Sequence, residues 1–176
     1  MKLIEHLKKR GVNPSLYNLV VNYKTNRITF LLYNLSGQVV GYQQYSPLIK
    51  EKKVNHPKKA RYFTYLPRMV DGVFGLELLD YNKPMCFVFE GFVEAANAHR
   101  LGFNAISPLG SSPKRMKSFF RILRRQFNLV AFGDNDPAGQ KLINLIGKGE
   151  QLAIDFDEMP DDEKLRLLKK YSLEHQ

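Results

Sequence analysis

Leu129-Val-Ala-Phe-Gly-Asp-Asn-Asp-Pro-Ala-Gly139 reads as a buried strand that stops at a carboxylate and turns directly into a helix. Its apolar run is short and ends in Gly, Asp and Pro, residues that interrupt regular structure. Upstream, Phe87-Val-Phe-Glu-Gly-Phe-Val-Glu94 follows the same grammar: an apolar run, then Glu90, then Gly91. In both stretches the acids stand at strand ends and not along a solvated face. Open α/β sheets bind their ligands at the carboxyl ends of the strands, so Glu90, Asp134 and Asp136 are expected to meet at one edge of a parallel sheet. Three converging carboxylates suit a divalent cation.

Working outward from these stretches, the chain from Pro84 onward alternates strands and helices. Strands are expected at 85–89, 104–107, 128–132 and 151–155, with helices at 92–101, 113–125, 137–146 and 161–171. That alternation predicts a mostly parallel sheet flanked by helices, an α/β fold. The preceding part differs. A short amphipathic helix over 3–10 closes at Gly11, and Asn13-Pro14-Ser15 makes a capped turn. Leu19–Tyr23, Arg27–Tyr33 and Gln38–Tyr42 are rich in branched and aromatic residues, with turn signals at Thr25-Asn26 and Ser36-Gly37, so they predict an antiparallel meander. Phe74–Leu79 is expected as a short helix. The division predicted is a small basic α+β lobe over 1–83 and an α/β domain over 84–176.

The 176 residues carry 27 Lys and Arg against 17 Asp and Glu, a formal net charge of +10. The positive residues are grouped: Lys50, Lys52, Lys53, Lys58, Lys59, Arg61 and Arg68 in one stretch, Lys114, Arg115, Lys117, Arg121, Arg124 and Arg125 in another. Such clusters supply the salt-sensitive attraction to phosphate backbones on which nucleic-acid proteins rely, though a solvated loop and a solvated helix face have the same composition. Tyr62, Phe63 and Tyr65 lie among the lysines of 47–67. They are read either as faces for bases and sugars or as aromatics anchoring a basic loop to a core. No apolar run approaches the ~18–20 residues of a membrane-spanning helix, so a soluble, cytoplasmic protein with no membrane partner is expected. One cysteine, Cys86, lies within an apolar strand, which excludes a disulfide framework and a cysteine-based zinc site within this sequence. His6, His56, His99 and His175 show no ligand spacing and are expected on the surface.

Glu90-Gly-Phe-Val-Glu94, Ser107-Pro-Leu-Gly-Ser-Ser112 and Gly133-Asp-Asn-Asp-Pro-Ala-Gly139 together resemble the Toprim domain, and within that superfamily the bacterial and phage DNA primases. There a Glu-Gly ends the first strand, a Leu-Gly-Ser/Thr turn follows the second, and an Asp-x-Asp with a nearby glycine ends the third. The likeness covers about 84–140. Weaker similarities to the basic lobe of the primase core lie in Gly37-Gln-Val-Val-Gly-Tyr42, Ala60-Arg-Tyr-Phe63 and Phe74-Gly-Leu76.

The resemblance implies a nucleotidyltransferase that makes short RNA primers on single-stranded DNA from ribonucleoside triphosphates, with Mg2+ or Mn2+, two ions, and no zinc. It casts Asp134 and Asp136 as metal ligands, Glu90 as ligand or general base, and Glu94, where primases mostly carry aspartate, as a supporting acid. Asp136 followed by Pro137 also reads as a helix N-cap; the two roles are compatible. Gly110, Ser111 and Ser112 are expected to cradle a phosphate on backbone amides or to form a plain capped turn. Lys58, Lys59, Arg61, Lys114 and Arg115 are the expected nucleotide- and nucleic-acid-binding cations. Asp155, Asp157, Asp161 and Asp162 fall where primases place further acids but are read as a solvated turn. The family's zinc module and helicase parts are not expected here, so start-site choice is expected to be loose or supplied by a helicase or another template-recognition protein. The reduced form suggests a phage or mobile-element origin. A Toprim nuclease and a noncatalytic nucleic-acid-binding replication factor are the alternative readings.

Overall fold

The computed structural model describes residues 3–50, 59–109 and 116–173. After helix α1 (Leu3–Lys9) and a 3-10 turn at Pro14–Leu16 come β1 (Leu19–Asn22), β2 (Arg27–Tyr33), β3 (Val39–Tyr45) and β4 (Tyr62–Tyr65). These four form an antiparallel sheet in chain order. The predicted meander is present, and β4 is an addition to it: Tyr62–Tyr65, inside the lysine-rich stretch, pairs with β3. Its Tyr62 ring stacks on Tyr45, 5.2 Å between centroids, and packs edge-on to Phe92. Tyr62 is therefore a core anchor. The periodicity was hidden because Tyr62-Phe63-Thr64-Tyr65 is apolar on both faces of an edge strand and flanked by charge.

The second sheet holds β5 (Met85–Phe89), β6 (Ala105–Ile106), β7 (Asn128–Asp134) and β8 (Gly149–Leu152), all parallel, in the order β6-β5-β7-β8. β5 and the middle of β7, Leu129–Phe132, are apolar throughout because both faces are covered there, whereas the edge strand β8 is half-buried and carries Glu150 and Gln151. Met85, Phe87, Phe89, Val130 and Phe132 face a core shared with α2 (Phe92–Arg100), α5 (Asp161–Leu173), α1 and the antiparallel sheet. Cys86, Val88, Leu129 and Ala131 face the opposite core, built with α3 (Lys117–Leu123) and α4 (Pro137–Ile146). The first of these clusters takes residues from both sides of position 83. Phe92 is its hub, with Phe30 at 4.6 Å, Tyr45 at 5.5 Å and Phe74 at 5.7 Å.

Some boundaries differ from expectation. The last strand is Gly149–Leu152, not 151–155. It starts immediately after the helix because Gly147 closes α4 in the left-handed region, and because Gly149 lies so close to the Ala131 carbonyl that no side chain fits there. The expected helix at 113–125 is Lys117–Leu123 among the described residues, and the piece at 74–79 is a 3-10 turn, Leu76–Leu78. His99 is buried, contrary to the surface reading. It contacts the Ala105 carbonyl through Nε2 at 2.7 Å and the Tyr17 hydroxyl through Nδ1 at 2.7 Å. Burial holds its pKa down at about 4, so it is neutral. His6 is half-buried against Tyr45; His56 and His175 lie outside the described residues. Among the described residues no helix is long and apolar enough to cross a membrane.

Candidate active site

The winding of the parallel sheet creates one special edge. The chain leaves β5 through α2 to β6 on one side, then returns through α3 to β7 on the other side of β5. Because α2 and α3 contribute to opposite cores, the connections diverge between β5 and β7, the kind of switch point at which open sheets bind ligands. Phe89 is paired with Phe132 across those strands, so the residues that leave them, Glu90 and Gly133-Asp134, are neighbours.

Glu90 accepts a hydrogen bond through Oε1 from the Asp134 backbone N–H, at 3.0 Å. Asp136 caps α4, its Oδ1 accepting from the N–H groups of Ala138 at 2.7 Å and Gly139 at 2.9 Å. The N–H of Asp136 in turn donates to the Asp134 carbonyl at 2.7 Å, which closes a tight acid-bearing turn. Gly139 and Gly133 make the turn possible. A side chain at 139 would collide with the Asp134 carbonyl and crowd Glu90 Oε1, and one at 133 would strike the backbone of Gly139. Glu94 lies in the first turn of α2 and folds back so that its Oε2 covers Gly91.

Protonation reflects this crowding. Burial pushes the Glu90 carboxyl up; the bond from Asp134 N–H opposes that, and repulsion from Asp134, Asp136 and Asp155 adds to it. Glu94 is pushed up to about 7, first by burial and then by Asp157 and Asp134, with Arg10 partly opposing.

These hard carboxylate oxygens, repelling one another at one rim, are of the type Mg2+ or Mn2+ takes. Among the described residues, however, no three His, Cys, Asp or Glu side chains are gathered into a set that could hold a metal by itself. Magnesium is ordinarily bound by one or two carboxylates together with waters and substrate phosphates. The residues present therefore fit an ion shared with a phosphate-bearing substrate and do not fit a closed protein cage.

No family model matches the sequence, and no curated protein does. Solved structures do match in fold. The zinc-binding and RNA polymerase domains of the Aquifex aeolicus primase superpose with a TM-score of 0.65 at 16% identity, over 97% of this chain and 55% of that one. The primase fragment of the bacteriophage T7 primase-helicase protein gives 0.63 at 17%, over 93% and 71%. A DnaG primase catalytic domain bound to single-stranded DNA gives 0.57 at 18%, over 98% and 62%. The fold is that of a primase catalytic core. This chain spans about half the length of the Aquifex chain.

Within the primase-core fold the other predicted residues fall as follows. Lys59 is exposed. Arg61 is half-buried and donates through Nε to the Ile49 carbonyl at 2.8 Å, so part of its role is to fasten the loop beside β3. Lys58, Gly110, Ser111, Ser112, Lys114 and Arg115 lie outside the described residues. The stretch from Asp155 is solvated in part: Asp155, Asp161 and Asp162 are exposed, but Asp157 and Asp161 hold cations of the chain. Asp157, its side chain 6% exposed, pairs with Arg10 at 2.6 Å, and Asp161 takes two bonds from Arg100, at 2.6 and 2.8 Å. Buried Lys164 donates to Asn97 Oδ1 at 2.9 Å and to the Asp157 carbonyl at 3.1 Å.

Two more residues hold the rim: Ser107, which opens the Ser107–Ser112 motif but had no role assigned to it, and Gln151, which has no signal in the sequence. Ser107, just beyond β6, donates through Oγ to the Glu90 carbonyl at 2.8 Å. Gln151 in β8 donates to the carbonyls of Asp134 and Asp136, at 3.1 and 2.8 Å.

Proposed function

We propose that the chain is a DNA primase-like nucleotidyltransferase that synthesises short RNA primers on single-stranded DNA from ribonucleoside triphosphates. The observation that carries this reading is the hydrogen bond between Glu90 and Asp134 at the switch point of a primase-core fold, with Asp136 one turn away. The excess of basic residues supports an anionic template.

In this reading Asp134 and Asp136 hold Mg2+ or Mn2+ beside the nucleotide phosphates, and Glu90 is a third ligand or the base. The ions, when bound, supply acidification of the attacking 3′-hydroxyl and neutralisation of the departing pyrophosphate. The chain's own part is positional. The Asp136 cap and the Glu90 bond set the acids before substrate arrives, so little reorganisation is needed when charge develops. Glu94, with a pKa near neutrality, takes up or releases a proton at the rim as the local charge changes. Exposed Lys59 adds to the attraction for phosphate.

Labelled ribonucleotides incubated with the protein, single-stranded DNA and Mg2+ or Mn2+ should yield short RNA. Shortened DNA in place of RNA would reassign the site to phosphodiester hydrolysis. Neither product, with retained DNA binding, would leave a noncatalytic replication factor.

A further inference from the structure

Gln151 sits on the edge strand β8, paired in register with Gly133, and its side chain reaches past the end of β7 to the acid-bearing turn. Its amide nitrogen carries two hydrogens, and there are two acceptors: the carbonyls of Asp134 and Asp136, one on each acid. The match is chemically selective. Glutamate has the same shape but, ionised, presents only acceptors to two carbonyls, and an apolar side chain presents nothing. The other side of the rim has a corresponding contact. Ser107, beyond β6, donates to the Glu90 carbonyl and accepts from the Leu109 N–H at 3.2 Å. Each acid-bearing strand end is thus tied by a polar side chain from the outer strand next to it.

We propose that Gln151 is the positioning residue of the Asp134–Asp136 turn. It sets the distance between the two acids by spanning their carbonyls from outside, while the Asp136 cap and the Glu90 bond fix them from inside. Its consequence for metal binding rests on the function proposed above; its consequence for the turn does not.

The two are separated by measuring both on the same variants. Gln151→Met keeps length and removes the donors. In metal-free protein, amide hydrogen exchange at Asp136, Ala138 and Gly139 should accelerate about tenfold, because local opening of the turn is no longer opposed. Mn2+ affinity, read by electron paramagnetic resonance with a nucleoside triphosphate present, should fall about tenfold, as for other groups that orient a ligand without touching the ion. Gln151→Lys, which restores N–H donors at similar reach, should recover most of the exchange protection. Glu150→Gln changes the neighbouring residue, which faces Lys170 at 3.4 Å, and should leave both readouts as in wild type. Unchanged exchange in Gln151→Met would overturn the proposal. Faster exchange with unaltered Mn2+ affinity would also overturn it, since Gln151 would then be merely structural. Wild-type protein that takes up no Mn2+ would defeat the proposed function instead, and the exchange data alone would then decide the role of Gln151.

Discussion

Two groups of acids lie close enough to feel one another, and the fold treats them in opposite ways. At the strand ends, Glu90 and Glu94 are raised by burial and by neighbouring carboxylates. Beyond β8, Asp161 is lowered to about 2 by the hydrogen bonds and charge of Arg100, assisted by Lys164, and Asp157 is paired with Arg10. The second group has cations from the chain itself and serves assembly, joining α1, α2 and α5. At the first group burial is the main cause of the shift and the neighbouring carboxylates add to it, with Arg10 opposing only at Glu94. A cluster of acids in a sequence is therefore ambiguous until its partners are known.

The largest effect expected from this contrast is at the strand ends. Asp134→Asn should lower primer synthesis by about a hundredfold or more, above the usual range for groups that only orient a ligand, while mobility-shift assays show DNA binding retained. Synthesis persisting in that variant would remove Asp134 from the metal site. In the paired group the effect falls on stability. Arg10→Met leaves the nearly buried Asp157 unpaired and should cost about 2–3 kcal/mol, less than a fully buried pair because Arg10 keeps some exposure. For a chain of this size that is about 4–12 °C in Tm.

Glu90→Gln should act with the opposite sign. Its amide oxygen can still accept from Asp134 N–H, and it no longer repels its neighbours, so Tm should rise by about 2–4 °C while activity is lost, the usual trade at a strained site. A lower Tm would show that the strand-end acids are structural. The smallest effects are in pH profiles. Glu94 binds its proton more tightly folded than unfolded, so its contribution falls as pH rises from 4.5 to about 7, by at most about 1.4 kcal/mol per pH unit, and Glu94→Gln should flatten that part of the stability curve. Asp161 binds its proton less tightly folded. Its contribution is present above 3.8 and lost as pH falls toward 2, so Asp161→Asn should flatten only the acid limb.

The strand-terminal acids were legible as a set: Glu-Gly alone reads as a turn and Asp-x-Asp-Pro alone as a helix cap, but here both end apolar runs in a stretch whose alternating strands and helices predict a parallel sheet. Asp136 as a cap was legible because aspartate is favoured at the N-cap and proline at the first helical position that follows it. Gln151 was not, since a glutamine in a strand carries no periodic or motif signal and its partners are carbonyls contributed by a turn elsewhere in the chain. The pairing of Arg10 with Asp157 was equally hidden, because a basic residue at the end of an amphipathic helix looks solvated until the opposite end of the fold is in place. His99 was misplaced because its burial depends on Tyr17 and the Ala105 carbonyl, both supplied by tertiary structure.

The bond between Arg10 and Asp157 joins residues 147 positions apart. At translation rates of about 5–20 residues per second, the first helix emerges roughly 7–30 seconds before its carboxylate partner has been made. Through that interval Leu3 and Leu7, destined for the core, have no finished surface to dock on, so the nascent chain presents an apolar stripe beside a run of positive charge. Chaperones that bind exposed apolar segments, or nearby nucleic acid, would meet this helix before the carboxylate that later pairs beside it.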